Sequence, residues 1–294
     1  MIRFSKFIWL YFLISAIVLI PGMLALLGFG LRPAVDFTGG TLIEVKYGID
    51  VPQSSIESAL SKQQLAAASI QKSSNREYII RLKPEGAEKL QKFEVAVMSL
   101  APKKSEIVRN ETVGPILGKE LLQKTVTAAL FAIVAILSYV GYAFKNIKFG
   151  VSAIVALIHD LLVVLGVFAL LGVIYKVEVD TLFVTAFLTT MSFSVHDTIV
   201  VFDRIRELLK RNDKMSFETL CDKALTETIG RSFANSITII FMLLALVLLG
   251  GSNIRWFVFA LLIGTVSGTY SSPFIATPVL ILWDRLEKKK KATR

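Results

Sequence analysis

Apolar positions along the chain gather into six long runs, at about 7–31, 121–144, 149–175, 179–202, 232–250 and 255–283. About 20 helical residues cross a bilayer core, so each run is read as a transmembrane helix. The first run is too long for the apolar core of a signal peptide. Residues 28–33 also lack a small-x-small cleavage site, so the run is read as a retained helix, loosened near Pro21 and Gly22.

Between the first two runs the pattern changes. Thr41, Ile43, Val45 and Tyr47 fall on one face at period two, as do Tyr78, Ile80 and Leu82, which predicts half-buried strands. Ile56, Ala59, Leu60 and Gln63 have helical spacing, and so do Ala87, Leu90, Phe93 and Val97. Residues 105–113 complete the series as a strand. The order β-α-β-α-β predicts a small α+β ferredoxin-like domain over 32–120. The expected architecture is a six-helix membrane bundle with that domain inserted between helices one and two. Its parts are 1–31, 32–120, 121–284 with a loop at about 203–231, and a basic tail at 285–294.

Composition agrees with a membrane protein: 54% hydrophobic, 19% charged, and a mean hydropathy of +0.63. The net charge of +10 is concentrated in short segments. Arg3, Lys6, Lys145, Lys148, the loop 204–231 and the tail all fall on one side of the six spans. The opposite short loops hold only Lys176 and Arg255. The basic side is the cytoplasm by the positive-inside rule, so both termini are cytoplasmic and the small domain lies outside. That domain is nearly balanced in charge, which gives no reason to expect nucleic acid. In the cytoplasmic loop, Ser216 can cap a helix whose apolar face is Phe217, Leu220, Cys221, Ala224 and Leu225. Such a helix lies along the membrane surface or against another subunit. Lys288 to Lys291 reads as a positive-inside anchor, compatible with anionic lipid. Cys221 is the single cysteine, so no intrachain disulfide can form.

Ionisable groups inside apolar runs are the candidates for function. Asp197 precedes the end of the fourth run, with His196 beside it. Arg231, at the start of the fifth run, is the nearest cation. Either it holds Asp197 charged or it merely snorkels to the interface. The cluster from Asp203 to Glu207 reads as a solvated helix end. His159 and Asp160 lie within the third run, about 100° apart around a helix, so at most one is expected to face a given partner. No metal-ligand spacing such as HExxH occurs, and no metal or cofactor is expected. The segment 114–120 falls short of a P-loop. Gly39 and Gly40, after Asp36, permit unusual backbone angles, and a hinge is expected there. Gly264 and Gly268 form a small-residue face on the last run, suited to close helix packing within the chain or with a partner.

Taken together, the residues resemble the SecF branch of the SecD/SecF family of bacterial protein-export membrane proteins, relatives of the RND transporters. The resemblance rests on Val35 to Glu44 after the first span, Val113 to Leu121 at the entry to the second, and Ala156 to Asp160 in the third. It rests further on Asp197 to Glu207, the most specific signature, and on Thr226 to Ser232. It implies a non-enzymatic subunit of the inner membrane that pairs with a SecD protein. The pair would use the proton gradient to help draw preproteins through the SecYEG channel. By the same resemblance Asp197 is a proton-pathway carboxylate with Arg231 as its cationic neighbour; Asp160 and His196 are further candidates for that pathway. The family usually carries asparagine where this chain has His196. A non-conducting scaffold subunit and a small-molecule RND-type exporter are the alternatives. The latter would need a larger external domain.

Overall fold

The computed structural model describes residues 3–65, 67–74, 76–102, 105–144, 146–211 and 215–292. Lys145, residues 212–214 of the expected loop and the last two residues of the basic tail lie outside them. Two compact units emerge: 1–32 with 128–294, and 33–127.

The first unit is the helical bundle. Six helices among the described residues are long and apolar enough to cross a membrane. They are α1 (Ile8–Phe29), α5 (Pro115–Phe144), α6 (Ile147–Ile174), α7 (Thr181–Lys210), α8 (Phe217–Leu249), and α9 (Ser252–Ser271) continuing into α10 (Thr277–Ala292). Short polar side chains start several of them. Asn146 accepts from the Lys148 amide at 3.0 Å, Asp180 from Phe183 at 2.7 Å and Ser216 from Thr219 at 3.3 Å. Each cap satisfies an amide that has no partner within the helix.

Three expectations change and one is met. Pro21 lies inside a continuous α1 rather than loosening it. The free carbonyl that a proline leaves is tolerated in membrane helices. The neighbouring glycine serves packing: a Cβ on Gly22 would fall 2.8 Å from the Cα of Gly166, so α1 and α6 meet backbone to backbone. The helix expected in the loop at 203–231 is present, capped by Ser216. α7 runs on to Lys210, and α8 starts at Phe217 and continues unbroken into the fifth span. Its expected apolar face exists, but Leu220, Cys221, Ala224 and Leu225 are buried in the bundle's own core, not on a membrane surface or another subunit. Finally, the last span is interrupted by a π turn over Ser272–Ala276. Pro273 has no amide to donate, and its ring opposes a tight α-turn. The chain widens there, and Thr277 donates its amide to the Ser272 carbonyl instead.

The second unit is built on a four-stranded antiparallel sheet with strand order β2-β3-β1-β4. Its elements are a single helical turn α2 (Val35–Thr38), β1 (Gly40–Tyr47), α3 (Gln53–Lys62), β2 (Ala67–Ser74), β3 (Glu77–Leu82), α4 (Ala87–Ser99) and β4 (Ser105–Val113). This is the β-α-β-β-α-β ferredoxin-like arrangement, with one strand more than the hydrophobic pattern predicts. Ile43, Val45 and Tyr47 of β1 and Tyr78, Ile80 and Leu82 of β3 share the buried face. Ile56 and Leu60 of α3 and Leu90, Phe93 and Val97 of α4 cover it. β2 contributes little to that core. It pairs along β3, and Arg81 reaches across to the Gln71 carboxamide oxygen at 2.6 Å.

The glycine pair stands at the start of this sheet. Gly39 and Gly40 have φ of +73° and +128°. A Cβ on Gly39 would fall 2.7 Å from the Cα of Pro115, and one on Gly40 2.5 Å from the Leu82 carbonyl oxygen. Gly118 completes the corner, since its own Cβ would fall 2.9 Å from the Gly39 amide nitrogen. The expected backbone angles are present, but the motif is a packed corner rather than a free hinge.

Gly39→Val and Gly40→Val should each destabilise this unit by about 1–3 kcal/mol from backbone strain alone, before the clashes are counted. Gly86→Val, where nothing lies within 4 Å, should be nearly silent. Limited proteolysis of the full chain in detergent separates the two cases. Equal resistance in all three variants would show that the corner carries no stability.

Candidate functional site

In the helical unit, α6 presents two adjacent ionisable residues to the interior. Asp160 is 4% exposed and His159 8%. Adjacent helical residues diverge, yet here both turn inward, because the imidazole folds back along its own helix. His159 Nδ1 lies 3.0 Å from Asp160 Oδ1. Apart from each other they face different partners, His159 a hydroxyl of α1 and Asp160 hydroxyls of α7 and α9, as the expectation that at most one of them faces a given partner requires.

Asp160 is held from three helices. Ser194 of α7 donates to Oδ2 at 2.6 Å, Ser271 of α9 donates to the same oxygen at 2.6 Å, and Ser267, one turn earlier, donates to Oδ1 at 2.6 Å. With His159, these contacts occupy the four acceptor positions of a carboxylate. The remaining imidazole nitrogen, Nε2, lies 3.0 Å from Ser15 Oγ on α1. Below this cluster Thr198 Oγ1 and Ser272 Oγ are 3.0 Å apart, so the polar seam between α7 and the last span extends to the π turn.

The glycine face of the last span makes this closeness possible. A Cβ on Gly264 would collide with the Thr190 side chain, and one on Gly268 would fall 3.1 Å from the Cα of Ser194. The face is thus occupied by α7 of the same chain. The serines spaced 267, 271 and 272 were visible as small residues, but their convergence on a carboxylate from another helix was not.

Asp197 occupies a second position. It is half-buried on α7 and faces Ser232 and Ser236, one turn apart on α8. The expected ion pair with Arg231 is not made: Arg231 is exposed, and none of the ion pairs among the described residues involves it. Arg231 precedes Ser232 by one position and so points about 100° away. His196 lies on the exposed side of α7. Asp160 and Asp197 thus occupy separate polar clusters. The charged cluster after Asp197 closes the helix ends, with Arg204 bonded to Glu207 and to Glu227 at 2.6 Å. Ile205 between these charges is fully buried, so the segment is solvated on one side only. Asp36, in the first turn of α2, belongs to the glycine corner of the other unit.

Loss of a hydrogen bond to a charged or potentially charged group costs about 1.5–3 kcal/mol. Ser271→Ala should therefore lower thermal stability in detergent clearly. Thr238→Ala should change it by under about 0.5 kcal/mol, since that exposed hydroxyl bonds only to its own helix, at the Ala234 carbonyl. Matching melting temperatures would show that the serine cage contributes nothing to the bundle.

Comparison with known proteins places these clusters in a family context. Residues 92–286 match the family model described as "Protein export membrane protein SecD/SecF, C-terminal". Residues 24–48 match the SecD/SecF GG motif. "Protein translocase subunit SecF" of Thermobaculum terrenum is 41% identical over 97% of this chain and 94% of its own length. Its namesake in Anaerolinea thermophila is 35% identical over 94% and 92%. Among solved structures, SecDF from Thermus thermophilus, described as a translocon-associated membrane protein, aligns with a TM-score of 0.86 at 30% identity. That alignment covers 97% of this chain and 39% of the SecDF chain. SecDF in its super-membrane-facing form aligns with a TM-score of 0.68.

Proposed function

The chain belongs to the SecD/SecF family as a SecF-type subunit of protein translocase, and from that premise we propose that it works with a SecD-type partner to couple proton entry to preprotein export. The observation that carries this reading is the carboxylate of Asp160, buried among membrane-length helices and bonded from α6, α7 and α9. A carboxyl group in such a place is costly unless it serves an ion pathway or a structural lock.

The serine cage suits proton exchange. A hydroxyl can turn from donor to acceptor while its oxygen stays in place. Asp160 can therefore hold a proton or release it without dismantling the contacts between helices. Asp197, facing two hydroxyls of α8, is a second carboxyl with rotatable neighbours. Rotation of α8 by one residue, about 100°, would exchange Ser232 for Arg231 beside Asp197. That exchange would bias Asp197 towards its charged form. By the charge of the short flanks, both termini are cytoplasmic in the inner membrane, with the ferredoxin-like unit outside. There it would meet the emerging preprotein at the SecYEG channel.

A scaffold subunit without ion flux is the competing reading, and the substitutions separate the two. Asp160→Asn and Asp197→Asn keep shape but cannot ionise. In proteoliposomes holding the chain, its SecD-type partner and SecYEG, each should abolish the gain in preprotein translocation caused by an imposed proton gradient. Translocation without the gradient should continue. A parental response to the gradient in both variants would make the scaffold reading correct.

A further inference from the structure

The cluster at Asp160 does not end at His159. His159 Nε2 reaches Ser15 Oγ at 3.0 Å. The Tyr270 hydroxyl lies beside Ser15, and its ring stands 6.3 Å from that of His159. Tyr270 in turn donates to the backbone carbonyl of Tyr11 at 2.7 Å. The sequence of groups is therefore carboxyl, imidazole, hydroxyl, phenol, carbonyl. It starts between α6, α7 and α9 and finishes in the first turn of α1, at the half-exposed Tyr11. Every member between the two ends can both accept and donate a proton.

The far end fixes the direction of the chain. A carbonyl only accepts, so Tyr270 donates to it. With the Ser15 hydroxyl turned towards the Tyr270 oxygen beside it, His159 Nε2–H is the donor to Ser15. His159 Nδ1 is left facing Asp160, and their contact is a hydrogen bond only if one proton lies between them. The Asp160–His159 pair therefore shares a single proton, loaded at the top of a run of donors that all point the same way.

We propose that Asp160, His159, Ser15 and Tyr270 form a proton relay that discharges Asp160 towards the end of the bundle bearing the N-terminus. The inference rests on the proton-coupled reading above and assigns its route. In one discharge the shared proton settles on Nδ1, and Nε2–H passes to Ser15. The Ser15 proton passes to Tyr270, and the Tyr270 proton leaves to water beside the Tyr11 carbonyl. One proton enters the chain at Asp160 and one leaves it. Asp160 is left as carboxylate and His159 neutral in its other tautomer. A half-turn of the imidazole and rotation of the two hydroxyls restore the starting order. The titratable groups around His159 are Asp160 on its own helix, Tyr270 on the last span, 6.3 Å away between ring centres, and Tyr11 on α1. α7 contributes the neutral Ser194.

The test is proton uptake into proteoliposomes containing the complete chain with its SecD-type partner, read by pyranine trapped inside. His159→Gln keeps a hydrogen-bonding amide but cannot pass a proton on, and Tyr270→Phe keeps the ring but removes the hydroxyl. Both should slow uptake by roughly a hundredfold, the scale for losing one positioned proton-transfer group. Both should still co-purify with the partner. Parental uptake in these two variants, with uptake lost in Asp160→Asn, would overturn the relay and leave the carboxylate reading standing. Parental uptake in Asp160→Asn would overturn both. A solvent deuterium effect on uptake that is present in the parent and unchanged in His159→Gln would also count against the relay.

Discussion

The bundle depends on one carboxylate kept away from water. Asp160 would be costly anywhere in an apolar interior, and the cost is offset only if donors converge on it. They come from α7 and α9 as well as from its own helix, so satisfying this group dictates how three helices meet. That demand in turn requires close approach, and glycine supplies it at Gly264 and Gly268. Charge, hydroxyls and glycines are thus parts of a single solution. Removing any of them would leave the others without a reason for their positions.

The ferredoxin-like unit solves a different problem by different means. Its core is ordinary apolar burial, with two tyrosines whose hydroxyls find carbonyls, Tyr47 at Val97 and Tyr78 at Val51. Its special feature is the corner where Gly39, Gly40 and Gly118 allow three backbones to pass within side-chain distance. The segment 114–120, dismissed as a degenerate phosphate loop, has glycine at 118 because Gly39 lies against it.

Much of this was legible beforehand, and the failures have physical causes. The six spans followed from run length, because a bilayer sets a minimum that few other structures reach. The alternation of Ile43, Val45 and Tyr47 gave β1 its buried face directly. β2 was missed because Ala67 to Ser74 has almost no apolar face; its place is set by pairing with β3 and by Arg81, a tertiary effect. Asp197 and Asp160 stood out as charges in apolar runs. Their partners did not, since serine is common in membrane helices and a hydroxyl betrays nothing of where it points. Arg231 had two readings, ion partner of Asp197 or a cation reaching the interface; it is exposed, and Ser232 and Ser236 face Asp197 instead. The π turn follows from Pro273, but a proline announces an interruption without specifying its form.

The crossing of Gly22 and Gly166 has a mechanical consequence. Here α1 and α6 touch through bare backbone, and that point fixes how close their axes come. Ser15 and His159 each lie seven residues, about two turns, before those glycines and so on the same faces. Their hydrogen bond ties α1 to α6 at a second point, one polar contact beside an otherwise apolar seam. A change in the state of one imidazole is therefore felt along an entire membrane helix.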